Sequence, residues 1–118
     1  MLLTVLIIFI ILQHIGFMIA EIFLWNKPLG RKIFQMSSEK ALVTHFLAKN
    51  QGLYNGFLAA GLLWGLFTDN PVEALHIKIF FLSCIVVAGV YGSLTALKSI
   101  FWIQGLPALL TLILMRWF

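Results

Sequence analysis

Long apolar stretches alternate with short polar ones along this chain, and the rhythm predicts helices of membrane-crossing length. The first, residues 2–25, reads LLTVLIIFIILQHIGFMIAEIFLW. At about 1.5 Å per residue it spans a bilayer as one helix. Asn26-Lys27-Pro28-Leu29-Gly30 is a turn signal. Residues 31–36 predict a short interfacial helix with Ile33, Phe34 and Met36 toward lipid. Ser37 and Ser38 are candidate N-caps for a helix over 39–67. That helix is too long for a simple crossing, so its crossing portion is placed at 46–67 and its first turns outside or along the membrane. Thr68-Asp69-Asn70-Pro71 breaks the chain, with Asn70 as N-cap, Pro71 at the first helical position and Glu73 as a capping-box-like acid. The third span is placed at 74–97, Lys98-Ser99 makes a very short connection, and the fourth span is placed at 100–117. The expectation is an all-α membrane protein: one domain over 1–118, a bundle of four transmembrane helices, with no linker or convincing internal repeat.

Composition strengthens the membrane reading. Hydrophobic residues make up 62% of the 118 and charged residues only 10%, whereas soluble chains carry about 25% charged. The mean hydropathy is +1.04. A soluble helical protein would need polar outer faces that most of these segments lack. Residues 1–25 do not read as a cleaved signal peptide, because there is no basic leader, the apolar run is too long and no A-x-A site follows.

The net charge of +4 suggests topology rather than nucleic acid, because the basic residues sit in short loops beside apolar spans. Lys27, Arg31, Lys32, Lys40, Lys49 and Lys98 share one side, against Lys78 and Arg116 on the other. That bias puts both termini on the outer side and loop 26–45 in the cytoplasm, as in a multi-pass protein of a cell (inner) membrane. Trp25 and Trp102 then fall at the inner interface, and Trp64, Phe67 and Trp117 at the outer one. Cys84, the single cysteine, forms no intrachain disulfide and reads as a small packing residue.

Against this apolar background the polar residues stand out. His14 and Glu21 lie within the first span, where a chargeable group costs roughly 2.5–3.5 kcal/mol on insertion scales. His14, Met18, Glu21 and Trp25 form one helical stripe. His14 and Glu21 are separated by roughly 10 Å of rise, too far to bond each other. In the second span Asn50, Gln51, Tyr54 and Asn55 fall within an arc of about 140°, with Gly52 and Gly56 on the opposite side and Gly61 and Gly65 back on the polar arc. Two small-xxx-small pairs on opposite faces predict that this helix packs closely on both sides. Ser83, Cys84, Ala88, Tyr91 and Thr95 follow in the third span, with Gly89 and Gly92 allowing close backbone approach. Gln104, Gly105, Pro107 and Thr111 follow in the fourth. Pro107 cannot donate to the carbonyl of Ile103, which predicts a freed acceptor and a kink. By depth, Glu21, Asn50, Gln51, Tyr54, Asn55, Tyr91 and Gln104 share the cytoplasmic half, with His14 near the midplane. One polar pocket floored by His14 accounts for all of them as ligand-binding residues.

Blander roles compete. Asn, Gln and Tyr in membranes also bond helix to helix, contributing on the order of 0.6–2 kcal/mol, and Glu21 has the option of snorkelling toward the interface. His45 and His76 read as interfacial. No metal motif is present, since His14 and Glu21 do not match H-E-x-x-H, and there is no phosphate loop, nucleophile elbow or dinucleotide fingerprint. No cofactor is expected.

His14 with Glu21, NQGLYNGFLAAGL (residues 50–62), VAGVYG (87–92) and QGLPA (104–108) resemble a family of small bacterial four-helix membrane proteins known only as a domain of unknown function. The resemblance covers nearly the whole chain, with NQGLYNG its most specific part. It implies a four-helix inner-membrane protein and no assigned activity.

Three functions fit these residues. The favoured one is a site that binds or transports a small amphipathic molecule, with Glu21 as counter-charge or proton carrier. Four spans with a carboxylate in the first superficially resemble small multidrug-resistance transporters, but the charge bias argues against their dual topology and their motifs are absent. The second is a membrane enzyme of isomerase type acting on a lipid-like substrate, with His14 and Glu21 as catalytic acid and base. The third is an accessory subunit of a membrane complex, or a homo-oligomer, in which polar residues and glycines grip another helix. The bilayer is the one partner common to all three.

Overall fold

The computed structural model describes residues 1–117, and among them every regular element is helical. In chain order these are α1 (Leu2–Phe23), α2 (Pro28–Ile33), α3 (Ser38–Phe67), α4 (Pro71–Thr95), a π-helical turn (Phe101–Gly105) and α5 (Leu106–Trp117). The all-helical expectation therefore holds. α1 and α4, at 22 and 25 residues, are long and apolar enough to cross a membrane. Only 22% and 17% of their most apolar windows are buried, whereas the core helix of a soluble protein hides most of its apolar surface. Among the described residues more large apolar side chains are exposed than buried. α3 does not reach the same apolarity, because Asn50, Gln51, Tyr54 and Asn55 interrupt it. The final helix is apolar but shorter.

Local chemistry explains where the helices begin. The Ser37 hydroxyl accepts from the Lys40 amide at 3.2 Å and caps α3. Asn70 caps α4, its Oδ1 accepting from the amides of Val72 (2.9 Å) and Glu73 (3.2 Å), and Pro71 occupies the first turn. The interfacial helix expected at 31–36 begins earlier. Pro28 opens it at its first turn, and it ends where Gln35 takes a left-handed φ of 54°. Phe34 is half-buried. It packs on Trp25 with ring centroids 4.7 Å apart.

The chain divides into two compact units, Leu12–Phe57 and Met1–Ile11 with Leu58–Phe118. Within the first unit, α3 lies against α1 at Gly52 and Gly56. A Cβ on Gly52 would fall 2.8 Å from Ile22 Cγ1 and 3.1 Å from both Glu21 Cβ and the Met18 carbonyl oxygen, while one on Gly56 would fall 2.7 Å from Met18 Sδ. α2 folds back on the end of α1 so tightly that a Cβ on Gly30 would collide with the Leu24 carbonyl.

Within the second unit, α3 meets α4 at the other glycine pair, where Gly61 faces the Phe81 ring and Gly65 faces Ile77 and Lys78. The two small-xxx-small pairs thus serve two different helices. Leu62, Leu82 and Ile85 are fully buried here, as are Ala108 and Thr111 of α5. Gly89 of α4 lies against Gly105 at the end of the π-helical turn.

That turn stands just before Pro107, where a defect in the helix was expected. The Leu106 amide bonds the Phe101 carbonyl, five residues back, so the helix widens by one residue just before the proline. Ile103 is not left without a partner.

Candidate functional site

Of the buried positions on α1, Ile7, Ile10, Ile11, His14 and Glu21 recur at three-, four- and seven-residue spacing and share one helical face, with Ala20 buried to one side of it. His14 and Glu21 therefore occupy the packed face of an otherwise apolar helix. His14 is fully buried and engages neighbouring groups, with Phe17 edge-on at 5.6 Å between centroids.

On α3 the buried positions within the same unit are Ala41, Ala48, Gly52 and Asn55. Three are small, so the α3 backbone approaches α1 closely, and the fourth places an amide inside the contact. The Asn55 Nδ2 donates to Glu21 Oε1. The glycine at 52 makes this geometry available, because any larger side chain there would hold the helices apart. An amide partner contributes a dipole and not an opposite charge. The carboxyl group is thus held in place by an amide hydrogen bond.

The remaining predicted residues are distributed differently. Asn50 and Tyr54 bond each other at 3.0 Å on an exposed surface, and Gln51 is also exposed. The physical reason is steric. Over residues 41–55 the buried face of α3 is the one carrying Ala41, Ala48 and Gly52, and only Asn55, at the edge of the polar arc, falls beside it. Tyr91 is 68% exposed and lies along an open apolar groove of α4 with Phe80, Cys84 and Val87. Gln104, on the π-helical turn, is half-buried and has a partner. The structure thus unites Glu21 with Asn55, sets His14 on the same face of α1, and leaves Asn50, Gln51, Tyr54 and Tyr91 at the surface.

The sequence reading overlooked Thr44. Its hydroxyl accepts from the Trp25 indole at 3.0 Å and donates to the Lys40 carbonyl at 2.6 Å. This ties the end of α1 to the start of α3 and helps align Glu21 with Asn55. The available signal was Trp25 itself, since a partly buried indole N–H needs an acceptor. His45 contacts the Leu42 carbonyl at 3.2 Å and stacks on Phe46, and His76 is exposed. Among the described residues no group of three or more His, Cys, Asp or Glu side chains is arranged to hold a metal ion.

A family model described as "Protein of unknown function (DUF1304)" matches residues 8–116. The chain is similar to an uncharacterized protein, YpaA, from Lactococcus lactis subsp. lactis (strain IL1403). The two are 34% identical over 104 residues, covering 86% of each chain. No solved structure matches.

Proposed function

The chain belongs to the DUF1304 family, and on that premise we propose that it is a four-span inner-membrane protein whose Glu21–Asn55 site binds or transports a small amphipathic molecule. The membrane part of this reading rests on the outward-facing apolar side chains. Residues 2–23 and 71–95 cross fully, 46–67 cross as the upper part of α3, and the π-helical turn with α5 makes the fourth crossing. The six-to-two distribution of basic residues puts loop 26–45 in the cytoplasm and both termini outside.

The observation that carries the site is Glu21. It is buried, lies in an apolar helix and is held by an amide. A carboxyl group at such depth is costly, and ionisable residues held inside a membrane mark functional sites. A weakly polar or cationic amphiphile would place its polar end at Glu21 and its apolar body among the surrounding side chains. His14, on the same face of α1, would mark the inner limit of the site.

The test is reconstitution of the purified protein into liposomes with a panel of cationic and neutral amphiphiles, comparing wild type, Glu21→Gln and His14→Ala. Ligand-dependent proton flux that Glu21→Gln abolishes supports transport. Turnover of a lipid extract without flux would instead establish the isomerase-like enzyme. Variants that fold and keep every binding and flux property of the wild type would refute the site. Cysteine labelling at position 27 in a Cys84→Ser background tests orientation, since reaction with an impermeant reagent from outside intact cells would reverse it.

A further inference from the structure

Residues 27–40 concentrate charge of one sign. Lys27, Arg31, Lys32 and Lys40 are opposed within that stretch only by Glu39. Lys27, Lys32 and Lys40 are exposed, and Arg31 is half-buried. These cations stand on a fixed scaffold. Gly30 locks α2 onto the Leu24 carbonyl, Trp25 stacks on Phe34, and the Trp25 indole bonds Thr44, whose hydroxyl bonds the Lys40 carbonyl.

Apolar side chains are exposed in the same place. Leu29 and Ile33, one turn apart on α2, are 56% and 47% exposed, and Leu42 and Val43 at the start of α3 are more so.

We propose that this cap, α2 with the first turns of α3, binds the headgroup of an anionic phospholipid, its phosphate among Lys27, Arg31 and Lys32 and its upper acyl chain against Leu29 and Ile33. The pairing of cations with exposed apolar side chains selects the ligand. A nucleic acid or free phosphate would satisfy the charges and leave Leu29 and Ile33 in water, whereas a lipid covers both. The inference rests on the membrane reading above and is independent of the Glu21 site.

The full-length protein, extracted into detergent, is mixed with phosphatidylglycerol or phosphatidylcholine, and retained lipid is counted by native mass spectrometry. Wild type is expected to retain phosphatidylglycerol in preference. Each charge removed near such a surface should weaken retention about fivefold. Lys27→Gln with Lys32→Gln should therefore lower it about 25-fold at unchanged helicity, and Arg116→Gln should leave it unchanged. Leu29→Ser with Ile33→Ser should lower retention of lipid. Equal retention of the two lipids would overturn the proposal, as would loss of preference in Arg116→Gln. Displacement of the lipid by inorganic phosphate, with no effect of the Leu29 and Ile33 changes, would show a phosphate site and overturn it too. Cell fractionation separates the two levels of the argument. A chain found in the soluble fraction would refute the membrane reading, while a membrane-bound chain without lipid preference would refute this inference alone.

Discussion

Replacing Gly52 by alanine tests whether the α1–α3 contact is set by backbone approach. The new Cβ would lie 2.8 Å from Ile22 Cγ1 and 3.1 Å from the Met18 carbonyl oxygen. The second neighbour is backbone, so relief requires the helices to separate. Such overpacking costs about 1–3 kcal/mol. Alanine regains about 1 kcal/mol of helix propensity over glycine, which leaves a net loss of roughly 0–2 kcal/mol. Gly56→Ala meets only Met18 Sδ at 2.7 Å, the flexible part of a thioether side chain that can swing aside, so its net effect should be near zero. Gly16, with nothing within 4 Å of its would-be Cβ, provides the reference, and Gly16→Ala should be neutral or stabilising by up to about 1 kcal/mol. Equilibrium unfolding of the three variants in mixed micelles, followed by tryptophan fluorescence and far-UV circular dichroism, gives the order directly. The expected ranking of stability is Gly16→Ala highest, Gly56→Ala next and Gly52→Ala lowest. If Gly52→Ala is as stable as Gly16→Ala, the helices do not meet at residue 52 and the placement of Asn55 beside Glu21 loses its support.

Asn55→Leu should destabilise by about 1–3 kcal/mol, because it leaves a buried carboxyl group without its donor, whereas Glu21→Gln retains a side-chain carbonyl that accepts the same bond and should cost less. A double-mutant cycle between the two should give coupling of about 0.6–1.7 kcal/mol, and zero coupling would show that they do not interact. Trp25→Phe keeps an aromatic ring against Phe34 but loses the indole bond to Thr44, with an expected loss of about 0.5–1.5 kcal/mol. Thr44→Val in the Trp25→Phe background should then add little, as the same unfolding assay would show. Asn70→Ala removes the α4 cap and should cost about 0.5–2 kcal/mol, with faster amide hydrogen exchange at Val72 and Glu73.

The sequence was informative wherever a residue acts through its own chemistry or its nearest neighbours along the chain. Asn70 before Pro71 stated its cap outright, and Ser37 was one of two adjacent serines offered as the cap of α3. The two glycine pairs announced that α3 packs on two sides, because a missing Cβ has the same consequence in any helix. The polar arc was less informative about packing than the glycines were. Asn50, Gln51 and Tyr54 share a face with one another, but a helical wheel shows which residues point together and not which face is covered. Close approach decided that, and it favoured the face of Ala48 and Gly52.

The α2 boundary shows the limit at short range. Pro28 and Gly30 looked like a turn, and only the contact of Gly30 with the Leu24 carbonyl made them part of a helix folded back on α1. The π-helical turn at Phe101–Gly105 belongs to the same class. Pro107 signalled a defect in the hydrogen-bond ladder, and packing of Gly105 against Gly89 selected a widened turn as its form.

By itself, then, the amino-acid order determined that the chain is helical, strongly apolar and burdened with a histidine and a carboxyl group in its first helix. Those properties follow from local periodicity and from solvation, which act residue by residue. Tertiary structure alone decided that Glu21 finds Asn55 and that Asn50, Gln51 and Tyr54 are left outside. A long-range hydrogen bond depends on which helix faces can approach closely enough, and that is a property of two surfaces together.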